Sequence, residues 1–195
     1  MAPPGSEPTV PKPQRRALFV DRDGTLNPDL HYLKDADRLE LFRGVGRALR
    51  SVRERGDLVV CVTNQSGIDR GFYTAEDVAR IHQRLNELLA PSEARVDAFY
   101  FCPHAPERGC GCRKPGTDLF RRAEAELGLD LGSCAFVGDR LVDVEAGRRL
   151  GLFTALVRTP GHEAEVDREL ARAGLVPDLT ADSFAGAVAR LLARG

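Results

Sequence analysis

Short apolar runs alternate along the chain with longer segments in which apolar residues recur at helical spacing. The runs at 17–20 and 58–62 are continuous and stop abruptly at polar residues, as buried strands do. Similar runs at 98–101, 134–137 and 154–157 predict three more strands. Because strands that alternate with helices form parallel sheets, the pattern predicts a single three-layer α/β domain with a Rossmann-like sheet.

The segments between the runs predict helices. Residues 45–55 carry apolar side chains at 45, 48, 49 and 52, which is the spacing of one helical face. Thr74 is predicted to cap the next helix, since Asp77 follows three residues later and an apolar face begins there. Three further helices are predicted over 119–127, 141–150 and 184–192.

Length and composition fit one globular domain. The chain has 195 residues, 43% of them hydrophobic, and we predict one folded domain over 17–195. Residues 1–16 hold five prolines among polar residues and are predicted to be disordered. No apolar run approaches the ~20 residues that cross a bilayer, and the N-terminus lacks a signal-peptide core. We therefore expect a cytoplasmic monomer with no membrane partner.

The charge balance argues against a nucleic-acid partner. Charged residues make up 29% of the chain, yet the formal net charge is only −1. A nucleic-acid-binding surface normally shows as a basic excess, so any attraction for an anionic substrate has to be local. The expected partner is therefore a small molecule and not a nucleic acid.

Polar side chains follow three of the predicted strands. Asp21, Thr63 and Asp139 each come directly after an apolar run. Because ligands of open α/β sheets bind outside the carboxyl ends of the strands, we expect these three side chains to meet in one site.

The residues around these strand ends suit a metal ion and a phosphate. Asp21 and Asp23 would repel each other, so the pair needs a cation, a shared proton or both; a solvated aspartate turn is the alternative. Asp139 lies four residues before Asp143, on one face of a predicted helix that Asp139 also suits as a cap. The Thr63 hydroxyl and the backbone amides of 64–67 suit phosphate oxygens, and Lys114 offers a positive charge.

A second cluster consists of three cysteines and a histidine. These four soft or borderline ligands are what a closed tetrahedral zinc site requires, and a closed site is structural because no position remains for water. Arg113 and Lys114 follow the last cysteine directly, so the zinc loop is predicted to aim both at the substrate. The predicted zinc ligands are Cys102, His104, Cys110 and Cys112.

The remaining cysteines and histidines have no predicted function. An odd total of five cysteines without an export signal argues against a disulfide framework. Cys61 and Cys134 fall in predicted strands and are expected in the core. His82 and His162 have no partners in the sequence and are expected at the surface.

Four motifs in order resemble the haloacid dehalogenase (HAD) superfamily of phosphatases: Asp-x-Asp-Gly-Thr from Asp21, Thr63, Lys114, and Gly-Asp-x-x-x-Asp ending at Asp143. The resemblance implies a nucleophile, Asp21, and a general acid and base, Asp23. It implies that Mg²⁺ is held by Asp21, by the backbone carbonyl of Asp23 and by Asp139. The segments after the first and third strands are too short for the cap domain of many HAD enzymes, so the fold is expected to be capless.

The resemblance also gives roles to the other motif residues. Thr63 and Lys114 would bind the oxygens of the transferring phosphoryl group. Asp143 would orient Lys114 or a water on the metal. An aspartate rather than a threonine at position 23 favours a phosphatase over a phosphoenzyme of the ion-pump type.

The zinc loop resembles that of two groups of HAD enzymes, the D-glycero-D-manno-heptose 1,7-bisphosphate 7-phosphatases and the histidinol-phosphate phosphatases, and does not separate them. The segments 27–32 and 63–71 are more similar to the first group, and the second group remains the alternative. The first resemblance implies that the sugar and its second phosphate contact Asp29, Leu30, His31, Tyr32, Thr63, Asn64, Gln65, Ser66, Arg113, Lys114 and Arg140.

Two other functions are compatible with the fold. A phospho-receiver or binding module on the same fold needs no catalysis, but it does not need the complete set of Asp21, Asp23, Thr63, Lys114 and Asp139. A polynucleotide 3′-phosphatase would carry a basic stripe, which the charge balance argues against.

Overall fold

A computed structural model describes residues 15–159 and 161–194. Its strands are β1 (Ala17–Val20), β2 (Leu58–Asn64), β3 (Ala98–Cys102), β4 (Ala135–Gly138), β5 (Phe153–Val157) and β6 (Leu179–Ala181). They form one sheet in the order β3-β2-β1-β4-β5-β6, and every neighbouring pair is parallel. The predicted α/β class and parallel sheet are confirmed.

Six α-helices cover the two faces of this sheet: α1 (Val45–Glu54), α2 (Ala75–Leu89), α3 (Asp118–Leu127), α4 (Leu141–Leu150), α5 (Glu163–Ala173) and α6 (Phe184–Leu192). One core cluster joins β1 and β2 to the apolar faces of α1, α2 and α6. The clusters on the other face involve α3, α4 and α5. These are the three layers that the sequence predicts.

Strand β1 occupies the centre of the sheet. All four of its residues are buried, because β2 and β4 flank it on both sides and helices cover both faces. Because both faces of β1 are buried, the run at 17–20 is continuously apolar and does not alternate between apolar and polar residues.

The structure adds two elements and extends the folded part at its N-terminus. Neither α5 nor β6 is predicted from the sequence. Arg15, which lies in the segment predicted to be disordered, pairs with Leu129 in a backbone bridge. The rest of the predicted disordered segment, residues 1–14, lies outside the described residues.

The connections after β1 and β3 carry no cap domain in the described residues. Between β1 and β2 the chain forms a single 3-10 turn (Ala36–Arg38) and helix α1. Between β3 and α3 it forms the cysteine-rich loop with one 3-10 turn (Pro106–Arg108). The site at this edge of the sheet is therefore open, as predicted.

Two expectations about helix α2 have different outcomes. Thr74 and Asp77 do form a capping box, in which Asp77 N donates to Thr74 Oγ1 at 3.2 Å and Thr74 N donates to Asp77 Oδ2 at 2.8 Å. The expectation that His82 is a surface residue is wrong. Its side chain stacks on Phe99 with ring centroids 4.2 Å apart, so this position belongs to the buried face of the helix.

None of the helices within 15–159 and 161–194 combines the length and the apolar character that a membrane span needs.

Candidate active site

The predicted site residues meet where the strand order reverses. The chain runs outward from β1 through β2 to β3 on one side, and from β4 to β6 on the other. Asp21, Thr63 and Asp139 lie at the carboxyl ends of β1, β2 and β4, around a cleft of about 300 Å³ that Asp21 and Thr63 line. The predicted convergence of these strand ends is confirmed.

Lys114 is the cation at the bottom of this cleft. Its Nζ donates to Asp21 Oδ1 at 2.6 Å and to Val62 O at 2.8 Å, and lies 2.8 Å from Asp143 Oδ1. The side chain also lies over the Phe136 ring, with Nζ 5.3 Å from the centroid. These contacts fix the ammonium group beside Asp21 although it belongs to a different segment of the chain.

Asn64 holds the backbone of Lys114 in place. Its Oδ1 accepts from Lys114 N at 3.0 Å, and its Nδ2 donates to Lys114 O at 3.2 Å. Asn64 is the last residue of β2, so the sheet itself positions the lysine. The predicted substrate contact Asn64 thus has a second function, in the support of this loop.

Asp139 and Asp143 have different partners. Asp139 Oδ1 accepts from Thr25 Oγ1 at 3.1 Å. Asp143 Oδ2 accepts from the backbone N–H groups of Asp139 at 3.2 Å and Arg140 at 3.0 Å. The expectation that Asp139 caps helix α4 is wrong: Arg140 is the N-cap residue, and the Asp143 carboxylate satisfies the free amides at this end.

The cluster of carboxylates changes the pKa values of its members. Burial is the largest cause that raises the pKa of Asp21, to about 6, and Asp143 adds to it while Lys114 opposes it. Burial and the charges of Asp21 and Asp143 raise the pKa of Asp139 well above its usual range. Burial disfavours the charge of Lys114, but Asp143 and Asp21 outweigh this cost and raise its pKa. Asp21 therefore remains ionised at neutral pH.

The same cluster fits a divalent cation. One oxygen each from Asp21, Asp139 and Asp143 lie within 4.8 Å of one another. The buried Oδ2 of Asp139 accepts no hydrogen bond from the described part of the chain, although Arg140 Nε lies 3.3 Å away. A Cβ atom at Gly24, where φ is +83°, would collide with this carboxylate, so only glycine leaves the space free. Carboxylate oxygens are the ligands that Mg²⁺ prefers.

Asp23 points its carboxylate into a group of donors. Oδ1 accepts from Arg22 Nε at 3.2 Å and from Asn27 Nδ2 at 3.0 Å. Oδ2 accepts from Arg22 Nη2 at 2.7 Å and from Gln65 Nε2 at 2.9 Å. Burial alone would raise the pKa of Asp23, but Arg22, Asn27 and Gln65 together lower it. Asp23 still lines the cleft, as its predicted function requires.

Gln65 links Asp23 to the rest of the cleft. Its Nε2 also lies 2.9 Å from Thr63 Oγ1, and its Oε1 accepts from Tyr73 OH at 2.7 Å. Tyr73 is a cleft residue that the sequence does not reveal. The sequence around Tyr73 does not indicate this contact, because whether the side chain reaches Gln65 depends on how the loop folds.

The predicted zinc ligands form one cluster. The three thiol sulfurs lie 3.1, 3.3 and 3.6 Å apart, and His104 Nδ1 lies 3.3 Å from Cys112 Sγ and 3.7 Å from Cys102 Sγ. A tetrahedral zinc with bonds near 2.3 Å needs sulfurs about 3.8 Å apart, so the cluster needs only a slight expansion. None of the cysteines forms a disulfide.

The zinc loop is joined to the cleft by two sets of contacts. Arg113 lines the cleft and donates through Nη1 to His104 O at 3.2 Å. Asp69 accepts from Arg108 Nη2 at 2.8 Å and from Ala105 N at 3.0 Å. These contacts join the turn that carries Gln65 and Tyr73 to the zinc loop.

Most predicted substrate contacts lie in the cleft. Arg140 lies there with its Nη2 3.4 Å from Asp29 Oδ2, so it is part of the site and not a solvated surface charge. Leu30 differs from the prediction: it faces a separate depression beside Asp37 and Arg38, because the backbone turns sharply at the positive φ angles of the two residues that follow it. The structure adds Leu33, Tyr73, Val142 and Asp143 to the lining. The predicted residues that line it are Asp21, Asp23, Asp29, His31, Tyr32, Thr63, Asn64, Gln65, Ser66, Arg113, Lys114 and Arg140.

Comparison with known proteins gives a consistent set of relatives. A family model described as HAD-hydrolase-like matches residues 111–187. The D-glycero-D-manno-heptose-1,7-bisphosphate 7-phosphatase of Chlorobaculum tepidum is 38% identical over 186 residues, which cover 89% of this chain and 92% of the relative. The D-glycero-beta-D-manno-heptose-1,7-bisphosphate 7-phosphatase of Haemophilus ducreyi is 39% identical over 153 residues, 74% of this chain and 84% of the relative.

A solved structure agrees with these relatives. The crystal structure of D,D-heptose 1,7-bisphosphate phosphatase from B. bronchiseptica, complexed with magnesium and phosphate, superposes with a TM-score of 0.82 and 31% sequence identity. The match covers 93% of this chain and all of the other. With the strand-end carboxylates, the buried lysine and the cysteine loop described above, these similarities show that the chain belongs to the D-glycero-D-manno-heptose-1,7-bisphosphate 7-phosphatase family of HAD phosphatases.

Proposed function

We propose that this phosphatase removes the 7-phosphate of D-glycero-D-manno-heptose 1,7-bisphosphate through a phosphorylated Asp21. The observation that supports this most directly is the buried Asp21 carboxylate, held 2.6 Å from Lys114 at the bottom of an open cleft. The substrate is inferred from the relatives, which are phosphatases of this heptose bisphosphate.

In the first half of the reaction, an Asp21 oxygen attacks phosphorus and the bond between phosphorus and the sugar oxygen breaks. The protonated form of Asp23, a minor form at neutral pH because the pKa of this group is lowered, gives its proton to the departing alkoxide. The Lys114 ammonium and the Thr63 hydroxyl neutralise charge on the phosphoryl oxygens during the transfer. The products are the free sugar alcohol and an aspartyl-phosphate on Asp21.

In the second half, a water molecule attacks phosphorus and the bond to Asp21 breaks. Asp23, now a carboxylate, takes the proton of this water. Orthophosphate leaves and both aspartates return to their starting states. Because Arg22, Asn27 and Gln65 favour the ionised form of Asp23, its donor environment suits this base step.

Two metals complete the proposal. Asp21, Asp139 and the Asp23 backbone carbonyl would hold Mg²⁺, which supplies charge neutralisation for the phosphoryl group when bound. Asp143 would orient Lys114, with which it is paired. Cys102, His104, Cys110 and Cys112 would hold a structural zinc that keeps Arg113 at the cleft.

Arginine at the rim of the cleft favours a bisphosphate. A substrate with a second phosphate retains a dianion outside the reacting centre, and Arg113 can bind it through two parallel hydrogen bonds. Histidinol phosphate carries an ammonium group at its far end, which the same arginine would repel. All the residues of this site come from one chain, so we infer that a monomer is sufficient for activity.

The test is kcat/KM for the heptose bisphosphate and for histidinol phosphate, with and without Mg²⁺. We expect a clear preference for the bisphosphate, no turnover without Mg²⁺, and a loss of about 10–100-fold for the bisphosphate in Arg113→Ala. Arg121→Ala, an exposed arginine of α3 paired with Glu124, is the control and leaves the preference unchanged. A preference for histidinol phosphate, or full bisphosphate turnover in Arg113→Ala, would contradict the proposal.

A further inference from the structure

Arg22, between the two aspartates of the first motif, enters the mechanism above only as one of the donors around Asp23. It is the largest of the fully buried side chains, with 1% of its surface exposed. A fully buried arginine is rare, because removal of a guanidinium group from water is costly. The burial of this charged side chain beside the Asp23 carboxylate therefore requires a physical explanation.

The contacts of Arg22 are directed at Asp23. Nε and Nη2 bind the two carboxylate oxygens as a fork, at 3.2 and 2.7 Å. Two amide donors, Asn27 Nδ2 and Gln65 Nε2, complete the set, so that each oxygen of Asp23 accepts two hydrogen bonds. A carboxylate with four donors around it has one orientation, and the arginine supplies two of the four.

Fold stability is a weak explanation for this pair. Arg22 and Asp23 are adjacent in the chain, so their contact joins no distant segments. Arg22 Nη1 is buried and has no hydrogen-bond partner among the described residues. Buried ion pairs are often no more stabilising than apolar side chains of similar size. What the pair does provide is a fixed direction for the carboxyl group that faces the cleft.

We propose that Arg22 is a positioning residue for proton transfer, which fixes the carboxylate of Asp23 in one rotamer at the lining of the cleft. The inference rests on the proposed function, in which Asp23 is the general acid and base. Arg22 itself does not contact the substrate in this proposal. Its effect reaches the reaction only through the orientation of Asp23.

This proposal makes a distinction between substrates. A sugar alkoxide is a poor leaving group and needs a proton as the bond to phosphorus breaks, whereas p-nitrophenolate leaves without one. A loss of Asp23 orientation therefore slows the sugar ester much more than the aryl ester. A general loss of fold or of phosphate binding would slow both esters equally.

The experiment compares kcat/KM for the sugar bisphosphate and for p-nitrophenyl phosphate in Arg22→Lys and Arg22→Met. In Arg22→Met we expect the ratio of sugar ester to aryl ester to fall at least about tenfold. In Arg22→Lys, which keeps the charge but not the fork, the fall is smaller. Leu85→Ala, a core truncation on α2, serves as the control for lost stability and leaves the ratio unchanged.

A double-mutant cycle with Asp23→Asn separates the two proposals. If Arg22 acts through Asp23, then Arg22→Lys slows the sugar ester no more than about twofold further once Asp23 is Asn. Equal losses for both esters, or a full multiplicative loss in the double variant, would overturn the positioning function. If Asp23→Asn alone leaves the ratio of the two esters unchanged, then it is the proposed acid, Asp23, that is misassigned.

Discussion

At the scale of single residues, three carboxylates and one ammonium group share a small buried volume. Lys114 contacts Asp21 and Asp143, while Asp139 has an oxygen without a hydrogen bond. The arrangement keeps Asp21, the proposed nucleophile, ionised, since its raised pKa, about 6, still lies below neutral pH. It also leaves an excess of negative charge, which a bound cation would neutralise.

The first prediction concerns Asp21. Asp21→Asn keeps the size of the side chain but removes the attacking anion, so kcat should fall by at least about 10³-fold. Thermal unfolding should show that the variant is folded. Acid quenching during turnover should trap a phosphorylated protein in the wild type and none in the variant. Substantial turnover by Asp21→Asn would exclude it as the nucleophile.

The second prediction concerns the buried His82. Burial is the main cause that lowers its pKa to about 3, and the charge of Arg22 adds to it. The unfolded chain, with a histidine pKa near 6.5, therefore binds a proton that the folded state does not. The stability from this site is present above pH 6.5 and is lost as the pH falls from about 6.5 towards 3.

His82→Leu removes this titration and keeps an apolar contact for Phe99. Between pH 7.5 and pH 5, the free energy of unfolding should fall more in the wild type than in the variant, by on the order of 2 kcal/mol. Urea titrations at both pH values measure the difference. Equal pH dependence of the two proteins would show that His82 accepts its proton in the folded state.

The sequence predicts reactive residues well where they follow strands and poorly where packing decides. Asp21, Thr63 and Asp139 were predictable because a strand end in a parallel sheet fixes the position of the next residue. Tyr73 and His82 were not, because each depends on how one loop or helix packs against the sheet. A residue's own type does not encode that contact.

At the scale of elements, the predicted zinc loop supports residues that line the cleft. Its four predicted zinc ligands have donor atoms within 4.8 Å of one another, and Arg113 follows the last of them directly. The ion pair of Arg108 with Asp69 joins the loop to the turn before α2. The loop therefore connects the two segments that carry Gln65 and Lys114.

The third prediction is that this loop needs zinc. Elemental analysis should find about one zinc per chain, and Cys112→Ser should lose it. Because metal binding stabilises the loop that carries Lys114, the variant should melt at a lower temperature and turn over more slowly, even with saturating Mg²⁺. Cys134→Ser, a buried cysteine outside the cluster, should retain the zinc. Unchanged melting and turnover in a zinc-free protein would contradict a structural metal.

The elements that the sequence left unpredicted carry the weakest local patterns. Helix α5 buries only Val166 and Leu170, and these two apolar residues among many charged ones are too few to show helical spacing. Strand β6 has three residues and lies at the edge of the sheet. The strands β1, β2 and β4, which position the site, are central and almost wholly apolar, and for that reason they were recognisable.

At the scale of the whole molecule, charge is balanced overall but not in the cleft. The formal net charge is −1, yet the buried centre combines three carboxylates with one lysine. Local repulsion of this kind reduces the stability of the metal-free protein, and the proposed function requires it because the same carboxylates would hold the cation. Stability and catalysis should therefore respond in opposite directions to the loss of one carboxylate.

The fourth prediction tests this opposition with Asp139→Asn. The folded state raises the pKa of Asp139 above its unfolded value, so the stability that this group contributes falls as the pH rises between the two pKa values. Without metal at pH 7.5, the variant should melt roughly 2–4 °C above the wild type, which corresponds to ~1 kcal/mol. Mg²⁺ should raise the melting temperature of the wild type only, and the variant should lose turnover.

Asp97→Asn is the matched control for that measurement, because the Asp97 carboxylate is fully used. It accepts from Val59 N at 2.9 Å, Arg53 Nη1 at 2.7 Å and Arg95 Nε at 2.9 Å, and these donors lower its pKa although burial opposes them. Its replacement should lower the melting temperature, with or without Mg²⁺, because a satisfied carboxylate is lost. If Asp139→Asn also melts below the wild type in the absence of metal, then the buried carboxylates are not in net repulsion. If that variant still gains stability from Mg²⁺, the cation is held without Asp139.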